Sequence, residues 1–209
     1  MMLNVGLTGG IATGKSTVAR ILAEKGARLI DFDELSHVVE EPDGPVWKEI
    51  VRHFGEVILQ ADRTIDRRKL GDIVFTNNEK LDLLNRLVHP SVFKEWQKKI
   101  EEIRKVQPDA IVLSDIPLLI EVGMKSMVDV VLLVYLPREE QVARLMARSG
   151  YSRDYAKRRV ASQMPIEEKL PFADIIIRND GSPETTRMAL NEIWAELIEK
   201  ERLRREETG

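Results

Sequence analysis

Near the start of the chain, Gly9-Gly10-Ile11-Ala12-Thr13-Gly14-Lys15-Ser16-Thr17 matches the spacing G-x-x-x-x-G-K-[ST]. The chemistry of that spacing is phosphate binding. Glycines let the backbone curl until successive N–H groups point into one concavity. The concavity opens onto a helix N-terminus, whose dipole favours an anion. Lys15 can reach the β- and γ-phosphates of a nucleoside triphosphate, and the Ser16 hydroxyl can ligate Mg²⁺. The cradle comprises Gly10, Ile11, Ala12, Thr13, Gly14, Lys15, Ser16 and Thr17, with a nucleoside triphosphate as the expected ligand. Two carboxylates follow short apolar runs: Asp33 after Arg28-Leu29-Ile30-Asp31, and Asp115 after Ala110-Ile111-Val112-Leu113-Ser114. Asp115 is expected to hold Mg²⁺ or its water shell, the alternative being a solvated strand end. Asp33 is expected to orient or deprotonate an acceptor hydroxyl, the alternative being a cap on the next helix. Arg144 and Arg148 are four apart and share one helical face. With Arg153, Lys157, Arg158 and Arg159 they make a basic cluster that can close on a triphosphate and neutralise the transferring group, or else be a solvated surface.

The elements that must position these groups are readable from periodicity. Leu3 to Leu7 reads as a buried strand, and Val18, Ile21, Leu22 and Lys25 share a helical face that ends at Gly26. Arg28 to Asp31, Ala110 to Leu113, Val130 to Val134 and Ile175 to Ile177 read as further strands. Their near-continuous Val/Ile/Leu content suits a parallel sheet covered on both faces. The fold class is therefore α/β. A last helix starts at Ser182-Pro183 and carries Leu190, Ile193, Trp194, Leu197 and Ile198 toward the core; Glu199 to Gly209 is expected to fray. A crossover needs about a dozen residues, yet the stretch between Asp33 and Asp115 is several times longer. It holds three helical patterns: Val46, Ile50, Val51 and Phe54; Leu81, Leu84, Leu87 and Val88; Phe93, Trp96, Ile100 and Ile103. It reads as a helical insertion that covers the sheet or holds a second substrate.

Composition narrows the class. The chain has 209 residues, 32 Lys+Arg against 35 Asp+Glu, a formal net charge of −3, and no Cys. That balance argues against a dedicated nucleic-acid or anionic-membrane partner, and disulfides and thiolate metal sites are excluded. No apolar run approaches the roughly 20 residues of a membrane span, and no signal peptide fits before the first strand. A soluble, cytoplasmic protein, monomeric or a small homo-oligomer, is expected.

The combination of motifs resembles the dephospho-coenzyme A kinases. The residues that carry the resemblance are Gly6-Leu7-Thr8-Gly9-Gly10-Ile11 running into Gly14-Lys15-Ser16-Thr17, then Ile30-Asp31-Phe32-Asp33, Ile65-Asp66-Arg67-Arg68-Lys69-Leu70 and His89-Pro90. Asp115-Ile116-Pro117-Leu118-Leu119-Ile120-Glu121, Gln141 with Arg144 and Arg148, Arg159 with Gln163, and Ala173-Asp174 through Asn179-Asp180-Gly181-Ser182 complete it. The family often has Gly-Ser where this chain has Ala12-Thr13. The resemblance implies a core similar to nucleoside monophosphate kinases, with a five-stranded sheet ordered 2-3-1-4-5. It implies a nucleotide core over 1–33, 110–137 and 172–209, an acceptor-binding insertion over 34–109 and a lid over 138–171. The implied reaction is ATP-dependent phosphorylation of the ribose 3′-hydroxyl of dephospho-coenzyme A, the last step of coenzyme A synthesis. Asp33, Lys15 and Arg144 would be catalytic. Arg148, Asn179 and Gly181 would join the ATP site, and Thr8, Arg67, Arg68, His89 and Leu118 the acceptor side. A nucleoside or nucleotide kinase is the runner-up. A GTP-driven switch is disfavoured, because no D-x-x-G or N-K-x-D pattern occurs.

Overall fold

Five apolar runs become five strands in the computed structural model, which describes residues 2–74 and 77–208. The strands are β1 (Leu3–Gly9), β2 (Arg28–Asp31), β3 (Ile111–Asp115), β4 (Val130–Tyr135) and β5 (Ile175–Arg178). They form one parallel sheet in the order β2-β3-β1-β4-β5, the expected order. The register pairs Leu3 with Ile111 and Leu7 with Asp115, and on the other side Val5 with Val130 and Gly9 with Val134. Asp115 thus ends its strand level with the last turn-ward residues of β1. Every residue of β1 is buried, which is why the run is apolar without alternation.

Two units divide the chain: Met1–Ile30 with Ile103–Gly209, and Asp31–Glu102. In the first, helix α1 (Lys15–Glu24) and the long α9 (Pro183–Thr208) cover the sheet. Val18, Ile21, Leu22, Leu190 and Leu197 pack with Leu7, Leu132 and Val134 in its core. Ile193 and Trp194 are partly buried against the same core, but Ile198 is 49% exposed and not core-facing as expected. Ser182 caps α9 by accepting from the Thr185 amide at 3.2 Å. The tail does not fray at Glu199. Helix α9 continues to Thr208, with Arg202 paired to Glu199 and Glu206 and Arg204 to Asp129; Gly209 lies outside the described residues. Strong helix formers and i, i+4 pairs extend it, and the Arg204 contact ties it to the loop before β4.

Between β4 and β5 lie α6 (Arg138–Ser149), α7 (Arg153–Ala161) and the short α8 (Ile166–Lys169). Val142, Leu145, Ala156 and Val160 make a small second core, and the loop residues Ile11 and Ala12 pack into it.

The second unit is helical: α2 (Phe32–Val39), α3 (Pro45–Phe54), α4 (Arg67–Val74) and most of α5 (Asn78–Val106). Two of the expected helical patterns are a single helix. Helix α5 runs for 29 residues through Pro90, where one intrahelical N–H is missing opposite the Arg86 carbonyl. Phe32 and Phe93 meet Trp96 with ring centroids 6.0 and 6.5 Å apart.

Candidate active site

The loop from Gly9 to Gly14 turns β1 into α1, and its shape follows from side chains that leave no room for larger residues. A Cβ on Gly9 would lie 2.7 Å from Thr13 Oγ1, and one on Gly10 would lie 2.7 Å from Gln141 Oε1. Gly14 has φ +91°, with the Asn179 amide where a side chain would stand. Ala12 also has positive φ, 60°. An L-residue thus sits in the left-handed region at this turn of the loop.

The loop is clamped at each step. The Thr13 amide and hydroxyl both donate to the Gly10 carbonyl, at 3.3 and 2.9 Å. The Ile11 amide donates to Gln163 Oε1 at 3.0 Å, and Asn179 Nδ2 donates to the Thr13 carbonyl at 2.7 Å. Asn179 is itself held by the Thr186 hydroxyl, which donates to Oδ1 at 2.9 Å. Lys169, wholly buried, donates to the Gly9 carbonyl at 3.2 Å. With the loop so held, the donors of α1 are left for a ligand. No side chain caps this helix, and the Thr17 and Val18 amides turn back to the Gly14 carbonyl. Among the described residues the amides of Gly14, Lys15 and Ser16 have no acceptor, which is the arrangement an anion completes.

Lys15 pairs with Asp115, which is only 5% exposed, so Asp115 is no solvated strand end. Ser16 and Thr17 are exposed in the first turn of α1. Arg144, half-buried on α6, donates from Nη2 to the Asn179 carbonyl at 2.5 Å. Arg148, one turn on, is exposed. Gly14, Thr17, Arg144, Asn179, Gly181 and Arg187 are among the residues lining a cavity of about 460 Å³ that opens from the loop toward the start of α9. At the end of the sheet, the Arg178 guanidinium lies over the Tyr135 ring at 5.1 Å.

Residues expected on the acceptor side are placed as follows. The Thr8 hydroxyl is buried and donates to the Pro117 carbonyl at 3.1 Å. Leu118, in the loop after β3, is 42% exposed. In the helical unit, Asp31 and not Asp33 caps α2: Asp31 Oδ1 accepts from the Asp33 amide at 2.7 Å and the Glu34 amide at 3.4 Å. Asp33 stands exposed in the first turn, and among the described residues its carboxylate has no partner. Arg67 donates to Glu40 at 2.7 Å. Burial pushes the Glu40 carboxyl above the usual carboxylate range, with Arg67 pulling it back in part. Arg68 is exposed at the start of α4, and its amide donates to Asp66. His89 is half-buried within α5, and burial lowers its pKa.

Sequence reasoning assigned no role to Thr13's hydroxyl or to Lys169. The first sits inside the loop motif at a variable position. The second follows Glu167 and Glu168 and reads as part of a charged surface run.

Comparison with known proteins gives the arrangement its family. The family model described as "Dephospho-CoA kinase" matches residues 3–185. A dephospho-CoA kinase of Syntrophus aciditrophicus is 57% identical over 204 residues, covering 98% of this chain and 87% of that one. Among solved structures, a Thermus thermophilus protein superposes with a TM-score of 0.80 at 37% identity, covering 94% of this chain and 98% of that one. A dephospho-CoA kinase from Campylobacter jejuni does so with 0.72 at 30% identity, covering 96% and 99%. The chain belongs to the dephospho-CoA kinase family.

Proposed function

We propose that the chain transfers the γ-phosphoryl group of ATP to the ribose 3′-hydroxyl of dephospho-coenzyme A, giving ADP and coenzyme A. The observation that carries this reading is the family match over residues 3–185, which takes in the helical unit as well as the phosphate loop.

In this reading the Gly14, Lys15 and Ser16 amides take the β-phosphate, and Lys15 exchanges Asp115 for the phosphate oxygens. The cavity lined by Arg144, Asn179 and Gly181 receives the nucleoside of ATP. Residues 138–171 act as a lid, with Arg144 and Arg148 turned to the charge that spreads over the transferring group. Residues 34–109 act as the acceptor-binding region, with Thr8, Arg67, Arg68, His89 and Leu118 on the acceptor side. Asp33 follows the carboxyl end of β2, where ligands of open α/β sheets bind, and its carboxylate, without a partner among the described residues, accepts the hydrogen of the acceptor hydroxyl.

The donor set suits Mg²⁺ held mainly by substrate. Among the described residues no cluster of three or more His, Cys, Asp or Glu could cage a metal. One hydroxyl, Ser16, and one buried carboxylate, Asp115, remain, and Mg²⁺ commonly keeps several waters and takes one or two protein ligands plus phosphates. Held by the Ser16 hydroxyl and the Asp115 carboxylate, it would supply positive charge to offset that of the phosphates. Among the described residues no helix is long and apolar enough to cross a membrane. We place the reaction in the cytoplasm, carried out by a monomer or small homo-oligomer without a nucleic-acid or membrane partner.

The test is an acceptor screen with Mg·ATP, measuring ADP release with dephospho-coenzyme A, AMP, CMP, UMP and nucleosides, and locating the new phosphate by NMR. Dephospho-coenzyme A is expected to react far faster than the others, at the 3′-position. Comparable turnover of a nucleoside monophosphate would sink the assignment.

A further inference from the structure

A wholly buried lysine in a small α/β protein requires a reason, because an ammonium taken out of water must be fully compensated. Lys169 meets two acceptors. Its Nζ lies 2.6 Å from Glu121 Oε1 and 3.2 Å from the Gly9 carbonyl. Neither oxygen of Glu121 has a hydrogen-bond partner among the described residues and both are buried, so its contact with the ammonium is an ion pair. The carboxylate is therefore committed to Lys169, and the cation is committed to the first peptide of the phosphate loop.

That peptide matters because it is planar and trans. Holding the Gly9 oxygen fixes the direction of the Gly10 N–H on the opposite side of the same plane, and hence the direction in which the loop leaves β1. Gly9 cannot be held by its own side chain, and a Cβ there would be 3.0 Å from the Val134 carbonyl and closer still to Thr13 Oγ1. From the same segment, Gln163 takes the Ile11 amide. The stretch from Gln163 to Lys169 thus grips the first half of the loop, as Asn179 grips its second half.

We infer that Lys169, locked by Glu121, is a positioning residue for phosphoryl transfer: it orients the Gly9–Gly10 peptide and so aims the phosphate loop at the transferring group. Lys169 touches no reacting atom. Its effect is on the rate of transfer more than on ATP binding, since small displacements of catalytic donors cost rate steeply while ground-state contacts adapt.

The experiment compares Lys169→Met with the double variant Lys169→Met/Glu121→Met. The single variant leaves Glu121 buried and unpaired, so a fall in its activity could reflect unfolding alone. The double variant replaces the ion pair by apolar groups of similar size, a change that commonly restores stability. Melting temperature, ATP affinity and single-turnover phosphorylation of dephospho-coenzyme A are measured for both, with rates taken per mole of folded protein. Expected is a double variant with a melting temperature recovered to near the parent, ATP affinity within about threefold, and a transfer rate still down roughly tenfold to 100-fold, the scale of a misplaced catalytic group. A transfer rate within about threefold of the parent in either variant would overturn the inference and leave the pair a purely structural contact.

Discussion

Replacing Asp33 by Asn tests the proposed base apart from folding, because Asp31 and not Asp33 caps α2. Asp31 caps α2 through Oδ1, with backbone φ −92° and ψ 120°. Asp33 contributes its amide to that cap but its carboxylate to nothing among the described residues. Asp33→Asn therefore removes only a favourable charge near a helix N-terminus, about 0.3–1 kcal/mol. For a chain of this size that lowers the melting temperature by about 1–4 °C. If the carboxylate accepts the acceptor's proton, the rate falls by about 10²–10⁴. At about 1.36 kcal/mol per tenfold, even the lower limit is about 2.7 kcal/mol, more than twice the stability effect. The loss is expected near that lower limit, since a loose transition state requires little activation of the nucleophile. Asp31→Ala is the mirror experiment. It deletes the cap at a cost of about 0.5–2 kcal/mol in stability and is expected to cost less than tenfold in rate. Single-turnover phosphorylation of dephospho-coenzyme A, melting curves and ATP affinity are measured for both. An Asp33→Asn enzyme with a native-like fold and a rate within about threefold of the parent would refute the base assignment. So would two variants whose rates fall only in proportion to their stabilities.

Four further outcomes are expected. Lys15→Ala removes the ammonium from the loop and lowers turnover at saturating ATP by roughly 100-fold or more, measured as ADP release; near-native turnover contradicts the loop's role. Arg144→Ala lowers kcat by about tenfold or more while raising the Kd for ATP less, whereas exposed Lys98→Ala is silent; equal behaviour of the two makes Arg144 an ordinary surface residue. At Ala12, φ +60° costs an L-residue roughly 1–2 kcal/mol and is worse for a β-branched one, so by thermal melting Ala12→Val is clearly destabilised and Ala12→Gly is not. His89 has its folded-state pKa below the ordinary 6.5 because of burial. The unfolded chain then binds more protons, so His89's contribution is fully present above about pH 6.5 and is lost as pH falls toward the lowered value. Denaturant midpoints measured across that window are expected to fall with pH and to fall less in His89→Asn; an unchanged slope rules the histidine out.

Some of this site was written locally in the chain and some was not. The phosphate loop and the five strands were recoverable because their signals are short-range, whereas the order of the strands followed only from the family resemblance. Gly and Lys spacing declares a loop that turns onto a helix, and unbroken runs such as Val130 to Val134 declare strands buried on both faces. Whether Asp31 or Asp33 caps α2 was not recoverable. Both are good cap residues two positions apart, and only backbone dihedrals assign the role. Pro90 gave no clue that one helix passes through it, since packing of the flanking apolar face outweighs one missing hydrogen bond. The clamps on the loop lie beyond any local pattern. Gln163, Lys169 and Asn179 reach Ile11, Gly9 and Thr13 across sequence separations of 152, 160 and 166 residues. Lys169 illustrates the limit: in sequence it ends a charged run after two glutamates, and only the packing that buries it beside Glu121 turns a solvated cation into the group that holds the first peptide of the loop.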